Sequence, residues 1–245
     1  MGKNVDSEVW QSLGEQDADW AVESKPGRRY GGWANDLEAF YATGRHRVEQ
    51  ALALVPDVEY GKAIDWGSGT GRLAFTLAEK FERVTCVDIS KSMQATLRSR
   101  AAERGISNLD IVHVPDFNPD ASHDFGLSLI TMMHFSNREA VKEALEAMVA
   151  GLKPGGWMIV EIPESAHSTR AKVQPGYWAY RVLRRVGFTA KFLYAKGFTG
   201  MRILFIPRAW VAGVLADAGA DVVRTTEDKG TSHQFIWYVA QKRTE

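Results

Sequence analysis

Residues 63–74 read AIDWGSGTGRLA: a short apolar run holding Asp65, then glycine at positions 67, 69 and 71. Glycine loses more backbone freedom on folding than any other residue, so three within five positions mark a turn that is tight and closely approached. The run KAIDW (62–66) ahead of it reads as a strand, and RLAFTLAEKF (72–81) behind it reads as a helix. In an open parallel sheet such a turn lies at the carboxyl ends of the strands, beside the point where strand order reverses and ligands bind.

Alternation continues outward from this unit. RVTCVDIS (83–90) is a strand, KSMQATLRSRAAERG (91–105) a helix closed by Gly105, and NLDIVHV (108–114) a strand. DFGLSLITMM (124–133) and GWMIVEIP (156–163) are strands flanking the helix NREAVKEALEAMVAGL (137–152). After the helix RAWVAGVLADAG (208–219), ADVVRTT (220–226) and SHQFIWYVAQ (232–241) lie too close for a crossover helix and are expected to pair as an antiparallel hairpin. The fold class is therefore α/β: a doubly wound, mostly parallel seven-stranded sheet with an antiparallel last strand. Upstream, NDLEAFYATGRHRVEQALALV (35–55) is a helix with Asn35 as N-cap, stopped by Pro56. Residues 1–32 are acidic and turn-rich, and read as an N-terminal arm with Trp10 and Trp20 as anchors. Residues 33–245 form one domain.

Composition narrows the class. The 245 residues balance 30 basic against 30 acidic side chains, so no global field points to nucleic acid. No apolar run reaches the roughly 18 residues of a membrane helix, and the N-terminus has no apolar signal core, so a cytoplasmic protein is expected. Cys86 is the single cysteine, which leaves an inert buried thiol as its expected state and no multi-cysteine metal site. No metal is expected.

The nearest competitor is a dinucleotide fold, whose fingerprint is G-x-G-x-x-G. Here Arg72 stands where its third glycine belongs, and Asp65 would repel a diphosphate. A carboxylate at this edge suits a ligand carrying positive charge or hydrogen-bond donors.

At these residues the chain resembles the class I S-adenosylmethionine-dependent methyltransferases, in their small-molecule branch. AIDWGSGTG looks like their first motif, VTCVDIS their second, HVPDF their third, DFGLSLITMMHF the fourth-strand motif and LKPGGWMIVE the approach to strand five. The resemblance covers about residues 33–163 and, loosely, the closing hairpin. It implies a Rossmann-like fold and S-adenosylmethionine as cofactor. By this resemblance Asp65, with the amides of Gly67, Ser68, Gly69 and Gly71, holds the amino-acid end. Asp88 accepts from the ribose hydroxyls, Ile89 packs on the adenine, Asp116 accepts from the adenine amino group beside Phe117, and Thr131 and Met132 floor the sulfonium. Trp33, Tyr41 and Arg45 on the lead-in helix are candidates to close over the methionine end. Asp88 also stands where it could cap the following helix, and Asp116 where it could serve a turn.

For the acceptor side, His134 matches a histidine common in the small-molecule branch and is a candidate general base, with structural packing as the other reading. Glu161 and His167 follow strand five as candidate substrate contacts. Residues 163–210 look like a lid inserted after strand five. They hold nine basic residues against the single acid Glu164, interleaved with aromatic residues, and Tyr177, Arg184 and Arg185 are its candidate acceptor contacts. Such a segment suits an anionic small molecule with a ring, and would also suit single-stranded nucleic acid or an anionic membrane surface. Transfer to oxygen or nitrogen of a small acceptor leads. RNA methylation is opposed by TMMHF standing where amino-base methyltransferases carry N-P-P-[YF], and a non-catalytic cofactor-binding module is the third reading.

Overall fold

A computed structural model describes residues 5–229 and 233–244. Helices α1 (Val5–Val22) and α2 (Leu37–Leu52) precede β1 (Lys62–Trp66), which is followed by α3 (Ala74–Ala78), β2 (Arg83–Asp88), α4 (Lys91–Glu103) and β3 (Leu109–His113). Next come β4 (His123–Ser128), α5 (Arg138–Gly151) and β5 (Leu152–Ala166). Three short helices, α6 (Thr169–Val173), α7 (Pro175–Arg185) and α8 (Ala190–Ala195), lead to α9 (Arg208–Asp217) and the hairpin of β6 (Ala220–Lys229) and β7 (His233–Lys242).

The strands form one sheet in the order β3-β2-β1-β4-β5-β7-β6. β1 to β5 run parallel, and β7 enters antiparallel beside β5. Order reverses between β1 and β4, which puts the glycine turn at the switch point. Central strand β1 is buried on both faces, the condition for a parallel sheet covered by helices. Trp33, Phe40, Phe75, Leu97 and Phe125 fill one face, and Ile64, Val87, Leu145, Met148 and Tyr238 the other. Cys86 is buried, and burial holds its thiol in the protonated form by raising its pKa.

Several boundaries depart from the sequence reading. Residues 5–22 form a helix, where the sequence reads as a turn-rich arm; residues 1–4 of that arm, and Ser232 of the last strand, lie outside the described residues. The cap of α2 is Asp36, accepting from the Ala39 amide at 3.3 Å, and not Asn35. β4 stops at Ser128, because Ile130 takes a positive φ of 59° and residues 132–134 close a 3-10 turn. β5 runs on to Ala166 opposite His233, so the first residues of the expected insert belong to the sheet.

Polar side chains seat α1. Arg100 of α4 grips both oxygens of Asp19 at 2.6 and 2.7 Å, and the Thr70 hydroxyl donates to the same carboxylate at 2.9 Å. Asp17 breaks the helix with one extended residue and accepts from the amides of Tyr30 and Gly31 and the hydroxyl of Tyr194 on α8. Removing a hydrogen-bonded charge of this kind costs about 1.5–3 kcal/mol. Asp19→Ala is therefore expected to speed hydrogen exchange across residues 8–20 while leaving β1, β4 and β5 protected. Exchange that rises equally everywhere would show α1 to be part of the global core and not a separately seated helix.

Candidate functional site

A cavity of about 330 Å³ lies at the carboxyl edge between the glycine turn and α1. Its wall begins at Gly67, Ser68 and Gly69. The amides of Gly67 and Ser68 both donate to the Val87 carbonyl, at 2.7 and 3.1 Å, tying the turn to the end of β2. Gly67 has φ +83°, and a Cβ there would sit 2.1 Å from a Thr131 carbon, so neither its conformation nor its neighbour tolerates a side chain.

Asp88 closes the next side. Its Oδ2 accepts the Gly69 amide at 2.8 Å and its Oδ1 the Ser90 amide at 2.7 Å. Ser90 caps α4 through the Met93 amide, so Asp88 braces the cap without being it. Burial raises the carboxyl's pKa while the amides of Ser90 and Gly69 lower it. Each oxygen retains a lone pair beyond these bonds, and Asp88 lines the cavity. Ile89, Val114 and Phe117 supply apolar wall beside it.

Of the residues singled out from the sequence, the cavity gathers Gly67, Ser68, Gly69, Asp88, Ile89, Phe117, Thr131 and His134. Others lie elsewhere. Gly71 abuts Leu97 and Phe75 in the core, and Met132 is fully buried on the far face. Asp116 turns outward, its side chain 77% exposed and 3.9 Å from His113. Trp33 is buried and donates to the Glu23 carbonyl, Tyr41 packs on Phe40 and Phe75, and Arg45 pairs at the surface with Glu79. The cover expected from that helix is supplied instead by α1, through Trp10, Ala21 and Val22. His167, Arg184 and Arg185 are exposed and line no cavity among the described residues, whereas Tyr177 lines a small chamber of about 30 Å³ behind His134.

Two acidic residues expected at the ligand stand behind it. Glu161, 2% exposed, receives the Ile130 amide at 3.1 Å, the Trp237 indole at 3.0 Å and the Arg47 guanidinium. It thereby holds a β-branched residue in the left-handed region, a strained conformation that fixes the cavity floor at Leu129–Thr131. Asp65 lies behind the wall, 1% exposed, with no hydrogen-bond partner of ordinary geometry for either oxygen. Burial pushes its pKa up to about 7 against the pull of Arg72.

Arg72, read from the sequence only as a departure from a dinucleotide motif, lines the cavity. It is 2% exposed and lies 3.2 Å from Glu23, yet its Nε and Nη1 lack hydrogen-bond partners of ordinary geometry. The Ser68 hydroxyl is likewise buried and unpartnered. Unsatisfied donors in a cavity wall call for a ligand acceptor.

His134 separates the two chambers. Its Nδ1 lies 2.7 Å from the Arg202 carbonyl, and Trp10 packs on its ring at 5.1 Å. A carbonyl only accepts, so Nδ1 carries the proton and Nε2 the lone pair. Burial drives its pKa down to about 4, leaving it neutral at physiological pH. Trp10, Phe135 and the α5 stripe Ala140, Ala144 and Ala147 complete the cavity. The helical spacing of those alanines was a signal available in the sequence, while Trp10 and Arg72 had none beyond residue type.

Among the described residues no helix is long and apolar enough to cross a membrane, and no side-chain cluster could hold a metal ion.

Residues 63–156 match the family model described as a methyltransferase domain. A malonyl-[acyl-carrier protein] O-methyltransferase of Geobacter sulfurreducens is 34% identical over 89 residues, covering 34% of this chain and 33% of that protein. The O-methyltransferase gsfB of Penicillium aethiopicum is 30% identical over 132 residues, 52% of this chain and 30% of that protein. The chain thus spans about a third of the length of these curated relatives. In architecture it is similar to the magnesium protoporphyrin IX methyltransferase of Synechocystis solved with bound SAH, at a TM-score of 0.62 and 18% identity, covering 96% of this chain and 97% of that one. Residues 63–156 thus match a methyltransferase domain, and the described chain shares the fold of that solved methyltransferase.

Two measurements follow from the site's electrostatics. Asp65 has a folded pKa of about 7 against an ordinary value near 4, so its contribution to stability is full below about pH 4 and is lost as pH rises through about 7. Melting temperature should fall between about pH 4 and 7 and level off above, and Asp65→Asn should flatten that fall; an unchanged slope would show Asp65 to be ionised throughout. Asp88→Ala should weaken S-adenosylhomocysteine binding by about 1.5–3 kcal/mol. Calorimetry giving unchanged affinity would remove Asp88 from the binding surface.

Proposed function

We propose that this chain transfers a methyl group from S-adenosylmethionine to an oxygen, or less readily a nitrogen, of a small molecule held beneath α1. One observation carries the reading: a single cavity is walled on one side by Gly67–Gly69 with Asp88 and on the other by His134. The cofactor supplies an electrophilic methyl group on a sulfonium. Transfer is an in-line displacement, so the protein must align the nucleophile and exclude water.

The wall fits such a cofactor. Asp88 has two spare lone pairs for a ribose diol, and Ile89, Val114 and Phe117 offer apolar surface for a purine. Arg72, with unpartnered donors, suits the carboxylate of the amino-acid end. Asp65, set behind the wall, supplies negative potential toward the ammonium in its ionised form, above about pH 7, without touching it. Glu161 acts as a positioning residue, because it holds Ile130 and so the floor.

His134 faces the acceptor. Its Nε2 lone pair accepts a hydrogen bond from an acceptor O–H and orients the oxygen toward the methyl group. The burial that keeps the ring neutral makes it a weak base, so it takes the proton only as the new bond to carbon forms and the O–H becomes acidic. Arg181 and Arg202 line the chamber behind it, which favours an acceptor with an anionic group. The names of the two relatives described above favour oxygen. Enclosure of the cavity beneath α1 favours a small acceptor over a folded RNA.

Methyl-labelled cofactor incubated with the protein and a small-molecule extract should label an organic, often anionic product. With the product identified, His134→Ala should lower kcat about 100-fold while the KM for cofactor moves less than about twofold. Cofactor binding without any label transfer, to small molecules or to RNA, would leave a binding module and overturn the proposal.

A further inference from the structure

The helices between β5 and α9 present a face that no other part of the described chain covers. Trp178, Val182 and Val186 recur every fourth position along α7 and just past its end, and are 53%, 61% and 67% exposed. Beyond the turn, Phe188 and Phe192 stack with ring centroids 5.4 Å apart, and both remain exposed. With Val173 at the end of α6, these are six of the nine large apolar side chains exposed among the described residues. Scattered singly, such residues need no explanation; gathered within residues 173–192 they mark a contact surface.

Charge follows the same face. Arg181 and Arg185 stand three positions beyond Trp178 and Val182, so they flank the apolar stripe. Arg184 donates to the Phe188 carbonyl at 2.9 Å, and the Lys196 ammonium lies 5.8 Å from the Phe192 ring. No Asp or Glu occurs between Glu164 and Asp217. In a chain whose formal charge is zero, cationic charge is thus segregated onto this segment. The opposite side fixes the helices to the body: Tyr180, Leu193 and Tyr194 are buried, and Gln174 makes two hydrogen bonds to the Ile203 backbone. The face is held in place from beneath.

We infer that the α7–α8 face docks on an anionic lipid bilayer. A helix with Trp and aliphatic residues on one stripe and arginine at its edges lies in the plane of a membrane interface, where its apolar side enters the acyl boundary and its cations meet the headgroups. Complementarity of charge selects an anionic leaflet, and each basic residue near one strengthens partition about fivefold. Single-stranded nucleic acid fits less well, since base stacking needs aromatic faces and three of the six apolar residues are valines. This inference stands apart from the methyl-transfer reading, because it uses neither the large cavity nor the cofactor and shares only Arg181 with the chamber behind His134.

Flotation of the full chain with vesicles tests it. Binding is expected to vesicles of phosphatidylcholine with phosphatidylserine, to be absent with phosphatidylcholine alone, and to weaken as salt is raised. The variant Trp178→Ser/Phe188→Ser/Phe192→Ser changes only exposed side chains and should lose at least about tenfold in partition with an unaltered melting temperature. Arg181→Gln/Arg185→Gln should lose the preference for anionic lipid. The inference is overturned if the wild type ignores anionic vesicles, whether or not it binds single-stranded RNA or an acidic protein, or if the triple variant binds them as well as the wild type does.

Discussion

The carboxylate of Asp88 is the constraint on which the functional edge depends. Burying it is costly unless its lone pairs are met, and they are met by two backbone amides from different elements: Gly69 in the turn after β1 and Ser90 at the head of α4. One side chain therefore sets the distance between two βα units. Val87 reinforces that spacing by accepting the Gly67 and Ser68 amides. The glycines then take the conformations this closure demands, and the cavity is what remains between the closed turn and the helix above it.

That helix is held by charge as well as by the burial of Leu13 and Ala21. Asp19 is shared by Arg100 and Thr70, and Asp17 joins the Tyr30 turn to Tyr194 in the insert. Arg29 completes the junction, its guanidinium 4.4 Å from the Tyr194 ring. The N-terminal helix and the insert, far apart in sequence, thus form one cover fastened at two carboxylates. A second buried network, around Glu161, supports the floor at Ile130.

The parts of this design set by local spacing were legible in the sequence. The glycine turn, Asp88 at the end of β2, and the hairpin that closes the sheet all follow from strand and turn chemistry over a few residues. What depended on helix phase or tertiary closure was not. On α2 the inward positions are Phe40, Tyr41, Gly44 and Val48, so Arg45 faces out and pairs with Glu79, whereas Arg47 reaches Glu161. Asp116 turns outward because residues 114–116 form a 3-10 turn, which leaves Phe117 to face the cavity. Trp10 reaches the site only because residues 5–22, acidic and without a strong apolar stripe, fold as a helix against α4 through side-chain hydrogen bonds no short window of sequence displays.

His134 is where these levels meet. Its neighbours come from three sources: Trp10 from the N-terminal helix, the Arg202 carbonyl from the insert, and its own backbone from the turn after β4. The carbonyl fixes the tautomer, and the indole and surrounding burial withdraw water from the ring. Withdrawal of water is the largest cause of the fall in its pKa to about 4, outweighing the Arg202 carbonyl, which raises it. Displacing α1 would remove Trp10 and hydrate the ring, raising its proton affinity toward that of a free imidazole. The same closure that shields the cavity from solvent therefore also holds His134 neutral, with Nε2 as a hydrogen-bond acceptor, so seating α1 and preparing the histidine are one structural event.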